Sequence, residues 1–433
     1  MRFGEKEEGK DQRTGGQAPF KNILWFFGGK IVHSSIGGNH MAEPGEAPQK
    51  IDYRALTLLS MGHMVADITS GALPAMLPFL KEALGLTYAM AGTIVLVSNI
   101  MSSVIQPAFG YLTDRKSLLW FLPLGSFCAA LFLALVGWAP SYALVLVMVI
   151  FSGLGVAIYH PEGWRVANYF AGEKKATGIS IFAVGGNLGF AFGPLMAAFF
   201  ITNLGLRGST LFIIPGALIA GVFLFSRFWR VDTTAIKKKA PAGPAREALR
   251  KAAHPMSLLL GMIMFRSWTH IGMMTFIPFY YITYLKGDPM VAGNLLFAFL
   301  AAGVAGTFIG GPLADRFGHK KTILFSLGTS CPLFVLFLLS SGVWAFIWLT
   351  LAGLILIFSF SVSMAMGQSF MPRNVGLASG LILGLSFGMG GLGAAVLGLF
   401  ADLWGVPATL WVISFLPLGG FLLAALIPYP LKK

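Results

Sequence analysis

The sequence predicts an all-α membrane protein, with twelve transmembrane helices in two pseudo-symmetric six-helix bundles, and three observations carry that expectation. Of the 433 residues, 56% are hydrophobic and 11% charged, and the mean hydropathy is +0.76; a water-soluble globule of this size needs more polar surface. About twelve apolar runs approach the roughly 20 residues that cross a hydrocarbon core. A charged tight turn occurs twice, as Gly110-Tyr-Leu-Thr-Asp114-Arg115-Lys116 and as Gly311-Pro-Leu-Ala-Asp315-Arg316-Phe-Gly318-His-Lys320-Lys321, with the two acids 201 residues apart. Such recurrence half a chain later is the mark of a duplicated membrane unit.

Taken in order, the runs fall at 53–80, 88–112, 118–138, 141–169, 175–201 and 207–229, then at 256–284, 289–313, 321–341, 343–370, 375–402 and 406–428. Each must be helical, because backbone groups in lipid have only one another to bond, and none alternates like a barrel strand facing lipid. Pro74 and Pro78 in the first run, Pro161 in the fourth and Pro278 in the seventh predict bends. The fifth carries Gly185, Gly189 and Gly193 and the eleventh Gly380, Gly384 and Gly388, and small residues every four positions let helices approach closely. Cys128 and Cys331 sit inside apolar runs and read as buried thiols.

Domain boundaries follow. Residues 1–50 are Gly-rich and mixed in charge and read as a disordered tail, with Met41 an alternative start; 51–230 form the N-terminal bundle and 256–433 the C-terminal one. Between them, 231–255 is a polar linker holding Pro241, Gly243, Pro244 and a helix-compatible stretch from Arg246 to Lys251. Basic residues, Lys237-Lys238-Lys239 among them, collect on the side of residues 1–50, whereas the other side receives only Lys81, Arg207 and Lys286. This asymmetry places both termini in the cytoplasm and the chain in the plasma membrane, the inner membrane of a bacterium. It also accounts for most of the formal charge of +14 without a nucleic-acid partner.

Ionisable groups at membrane depth are expensive and mark function. On the first helix His63 and Asp67 are four residues apart and share a face; on the seventh, Arg266 and His270 are again four apart, each offset by 203 from its counterpart. The expectation is that the pairs meet across the pseudo-symmetric interface, around one central water-accessible cavity, with Asp67 or an anionic ligand as the partner of Arg266. The fourth helix adds Tyr159-His160-Pro161-Glu162-Gly163-Trp164-Arg165, where Glu162 and Arg165 neutralise each other or hold a transferable proton. Asp67, Glu162, His63 and His160 are thus the proton-coupling candidates. Arg266, His270, Arg165, Asn187, Trp268 and Trp164 are the substrate-binding ones, and Asp114, Arg115, Asp315 and Arg316 read as conformational latches. No His-Glu-x-x-His pattern or phosphate-binding glycine loop is present, so neither a metal nor a cofactor is expected. The energy source is a proton gradient. An enzyme built on His160 and Glu162, or a fixed pore, fits the duplicated halves less well than a rocking carrier.

These motifs resemble those of the major facilitator superfamily, whose Gly-x-Leu-x-Asp-Arg-x-Gly loop is nearly complete in the second half, while the first half departs after Arg115. Within it, Gly62-His63-Met-Val-Ala-Asp67, Gly71-Ala-Leu-Pro74-Ala-Met-Leu-Pro78-Phe79, Gln106-Pro107, Tyr159-His160-Pro161-Glu162-Gly163 and Gly185-Gly186-Asn187-Leu188-Gly189-Phe190 resemble the fosmidomycin resistance efflux proteins. The resemblance implies export of a small compound, a phosphonate antibiotic among the substrates, driven by protons. The residue pattern agrees, since arginines and histidines suit a small anion. The expected function is therefore proton:substrate antiport by alternating access, carried out by a monomer; an importer of organic anions would use the same parts.

Overall fold

The computed structural model describes residues 50–115, 118–172, 175–226, 245–371 and 375–429, and every regular element among them is helical. Helix α1 spans Tyr53–Leu84; α2 runs Tyr88–Asn99, passes a π-helical turn Ile100–Val104 and resumes as Gln106–Arg115. Then come α3 (Phe121–Val136), α4 (Tyr142–Phe170), α5 (Lys175–Leu204), a 3₁₀ turn Leu206–Phe212 and α6 (Ile213–Phe225). The second half has α7 (Ala245–Pro278, continued by a π-helical turn Phe279–Tyr284), α8 (Pro289–Phe317), α9 (His319–Leu338) and α10 (Gly342–Phe370). Its last run, Val375–Leu426, breaks at Gly405, whose φ of 82° is left-handed; α11 precedes the break and α12 follows it.

Among the described residues, eight helical runs are long and apolar enough to cross a membrane. The last of them supplies both α11 and α12, and α1, α3 and α7 complete the twelve: α3 is short at 16 residues, whereas polar groups interrupt α1 and α7. The expected tail at 1–49 and most of the linker lie outside the described residues. Helix α7 begins at Ala245 rather than 256, so the Arg246–Lys251 stretch is part of it. Side-chain caps start several helices: Asp52 accepts from Ala55 N at 3.0 Å, Thr87 caps α2, Ser141 caps α4 and Asp288 caps α8 ahead of Pro289. Trp138, Trp344 and Trp404 stand exposed at helix ends on the side that carries Lys81, Arg207 and Lys286, as an aromatic belt requires.

The halves repeat each other's packing. Helix α1 lies along α5 as α7 lies along α11, and α3 lies along α4 as α9 lies along α10; α2 with α11 and α5 with α8 join the two bundles. The α1–α5 seam follows the glycine stripe: a Cβ on Gly185, Gly189 or Gly193 would strike the backbone of Ser60, Met64 or Ile68 and Ala72. The α11 stripe does not repeat this. Gly384 faces open space and Gly388 meets only a Val104 methyl; the close approaches are made by Gly391 and Gly398 against α2 and by Gly390 and Gly393 against α7. The side-chain surroundings of Gly380 are outside the described residues.

Candidate functional site

Three polar side chains from α1 and α4 converge in the N-terminal half. Nε2 of His63 lies 3.2 Å from Oδ2 of Asp67, one helical turn on, and Nε2 of His160 on α4 lies 3.3 Å from Oδ1 of the same carboxylate. The two Nε2 atoms are 3.1 Å apart. Each ring is fixed from behind: Nδ1 of His63 donates to the Phe182 carbonyl of α5 at 2.9 Å, and Nδ1 of His160 to the Val156 carbonyl of its own helix at 2.8 Å. Phe182 stacks on the His63 ring with centroids 4.2 Å apart, and Trp164 meets it edge-on at 5.9 Å. Glycine at 186 is required here, since a Cβ would collide with Nε2 of His63 and Oδ2 of Asp67. Donor atoms of these three residues lie within 4.8 Å of one another, a spacing that a metal ion can bridge and a shared proton can equally occupy. A hydroxyl-bearing cleft lined by Thr69, Ser70, Ser98 and Ser152 opens one turn away, reaching Val156.

In the C-terminal half Arg266 takes the equivalent place. His63 sits between α4 and α5; Arg266 sits between α10 and α11, its guanidinium 5.0 Å from the Phe360 ring and its Nη2 donating to Ser386 at 3.3 Å. It is 3% exposed, and among the described residues its Nε has no hydrogen-bond partner and no carboxylate pairs with it. A buried arginine in a bilayer costs about 3 kcal/mol or more, so a cation left this open is kept for a reason other than stability. Three buried side-chain atoms among the described residues lack a partner, on Asn99, Arg266 and Trp268, and all three are N–H donors. Donors without acceptors favour an anion. Trp268 packs on Gly393; His270 is half-buried with its ring 5.5 Å from Phe299 and forms no hydrogen bond among the described residues.

Of the two partners expected for Arg266, the structure does not bring Asp67 to it. Although α1 and α7 pack together, no hydrogen bond or ion pair among the described residues joins His63 or Asp67 to Arg266 or His270. Both oxygens of Asp67 are already engaged by histidines of its own bundle, so Asp67 is not the partner of Arg266. On α4, Glu162 is fully buried and held by the fork of Arg165, with Nε at 2.9 Å from Oε2 and Nη2 against Oε1. Asn187 is half-buried beside Gly186 and makes no hydrogen bond among the described residues.

Of the latch residues, Asp114 and Arg115 end α2 with side chains outside the described residues. Asp315 and Arg316 are exposed at the end of α8, Asp315 without an ion pair among the described residues and Arg316 stacked 5.3 Å over Phe317. A cross-bundle clasp lies instead at the opposite membrane end. Asp402 of α11 accepts from the Tyr88 and Ala89 amides at 2.7 and 2.9 Å, satisfying the start of α2 from the other half. Sequence reasoning missed it. Its one signal is a lone acid closing the eleventh run, opposite a helix start.

The Major Facilitator Superfamily model matches residues 59–382 and 259–433. The chain is 36% identical to an uncharacterized MFS-type transporter, YfnC, of Bacillus subtilis, over 88% of this chain and 95% of that one. It is 34% identical to the fosmidomycin resistance protein of Escherichia coli, over 86% and 92%. Among solved structures, a bacterial homolog of the human lysosomal transporter Spinster, inward-facing and occupied, superposes with a TM-score of 0.73 at 15% identity, over 86% of this chain and 96% of that one.

Proposed function

The chain belongs to the major facilitator superfamily, and from that premise we propose that it is a proton-coupled antiporter, exporting small anionic compounds such as fosmidomycin-like phosphonates by alternating access. As a member of a transporter family it is a multi-pass membrane protein and not an enzyme. One observation carries the finer reading: matching helices of the two halves hold, in α1, a carboxylate shared by two histidines and, in α7, a buried arginine with no carboxylate partner among the described residues. The first set suits proton exchange. The second suits an oxyanion, because a guanidinium offers a planar pair of donors.

In this reading Asp67, His63 and His160 carry the proton, and Arg266 binds substrate, with Trp268, His270 and Asn187 as further substrate contacts. Trp164 walls the proton site. Glu162 is the second acid, paired with Arg165 until the α4 packing changes. The charge asymmetry supports placing both termini in the cytoplasm of a bacterial cell, which puts the Asp402 clasp on the outer side and Asp114, Arg115, Asp315 and Arg316 on the inner one. The clasp then closes the outer face in this conformation. The relative named for fosmidomycin resistance supports the substrate class.

The test is reconstitution with an imposed pH step, assaying fosmidomycin beside an unrelated cationic drug. Accumulation of fosmidomycin against its gradient in vesicles with an acid lumen is expected. Accumulation only in vesicles with an alkaline lumen supports proton-driven import, and transport of the cation alone contradicts the anion site.

A further inference from the structure

We infer that His63, Asp67 and His160 hold one proton in common in this conformation, and that releasing it requires α4 and α5 to shift against α1. The consequence for transport rests on the proton-coupling reading above; the chemistry does not. Nδ1 of His63 faces the Phe182 carbonyl at 2.9 Å and Nδ1 of His160 faces the Val156 carbonyl at 2.8 Å. A carbonyl oxygen only accepts, so both Nδ1 atoms carry hydrogen, and a neutral ring so held has a bare Nε2. Those two Nε2 atoms face each other at 3.1 Å and face the Asp67 oxygens at 3.2 and 3.3 Å.

With Asp67 ionised and both rings neutral, every one of these contacts would set lone pair against lone pair, in surroundings of low dielectric. One added proton relieves the contacts it bridges and cancels the charge of the carboxylate, leaving the second Nε2 as an acceptor without a hydrogen. It bonds to an Nε2 and is donated to the carboxylate or to the other ring, leaving an imidazolium, a neutral imidazole and a carboxylate with no net charge. A second would leave a net positive charge at membrane depth. Departure of the proton to water restores the repulsion, and the set must then open. Because His160 belongs to α4 and the His63 ring is tied to α5 through Phe182, opening moves those helices against α1.

Other titratable groups on the packed elements are engaged elsewhere or make no bond to the set. On α4 the Tyr159 hydroxyl donates to the Leu59 carbonyl at 2.6 Å and Glu162 is paired with Arg165. Arg266 and His270 of α7 make no bond to it, nor does Cys128 of α3; α5 contributes a carbonyl and Gly186, and α6 has no titratable side chain. Tyr88, Arg207 and the tyrosines of Phe279–Tyr284 lie at the helix ends near Asp402.

The experiment is nitrogen-15 NMR of the full chain in lipid nanodiscs with labelled histidine rings, the signals being assigned from His63→Gln and His160→Gln spectra. In the native protein, both Nδ1 signals are expected to stay those of protonated nitrogen, while the two Nε2 signals move together in one step as pH changes. A bare Nδ1 on either ring, or two independent Nε2 titrations, overturns the inference. Should a variant fail to fold, the count of coupled signals in the native spectrum decides. A joint Nε2 step in a protein that shows no pH-driven transport supports the shared proton while refuting proton coupling; proton-driven transport with separate titrations does the reverse.

Discussion

At the residue scale the two halves divide the labour of charge. Asp67 is the acid in this cluster, and its oxygens are held by His63 and His160. Replacing it with asparagine keeps the shape and removes the charge that exchanges protons. Asp67→Asn should therefore abolish pH-driven accumulation in proteoliposomes while leaving substrate counterflow; undiminished pH-driven transport would show the proton is carried elsewhere. Arg266 presents a planar fork that a lysine lacks. Losing a hydrogen bond to a charged group costs about 1.5–3 kcal/mol, so Arg266→Lys should weaken phosphonate binding roughly ten-fold or more by calorimetry. Unchanged affinity would make Arg266 a packing residue. Both residues were legible in the sequence, because an ionised side chain inside an apolar run has few reasons to be there. Their partners were not: His160 comes to Asp67 through the packing of α4 on α1, and the Phe182 carbonyl has no sequence signature at all.

Among the helices, glycine sets how close two axes can come. The Gly185, Gly189, Gly193 stripe was readable as a seam from its four-residue spacing, and it packs against α1 backbone. The similar spacing in α11 misled, since there the close approaches fall at Gly390, Gly391, Gly393 and Gly398, and which face of a helix meets a neighbour is decided by the partner helix. At Gly189 an added methyl meets the Met64 backbone, which cannot yield as a side chain tip can. Gly189→Ala should destabilise the folded protein by about 1–3 kcal/mol, lowering its thermal midpoint in detergent; an unchanged midpoint would mean the seam has slack. Asp402 satisfies two amides at the start of α2 across the bundle interface. A lost cap of this kind costs about 0.5–2 kcal/mol, and here the loss falls on one conformation. Spin-label distances between the ends of α2 and α11 should lengthen in Asp402→Ala, and a distribution identical to the native one would remove Asp402 from the gate.

Across the whole molecule, duplication is the organising fact. The repeated acid-arginine turn, the matched offsets of His63 with Arg266 and of Asp67 with His270, and the apolar runs were enough to predict a two-bundle helical membrane protein, and the family match agrees. No hydrogen bond or ion pair among the described residues joins the two polar pairs, for a physical reason: a bundle in lipid satisfies its own buried groups first, so Asp67 pairs within its half and Arg266 is left with open donors. In the proposed antiporter, coupling between proton and substrate then travels through helix packing, not through a direct ion pair. Proton flux provoked by substrate measures that coupling most directly, read from a pH dye trapped in proteoliposomes with no imposed gradient. Adding fosmidomycin outside should alter the lumen pH in step with phosphonate entry in the native protein and leave it unchanged in Asp67→Asn; phosphonate entry with no movement of protons in the native protein would contradict the account.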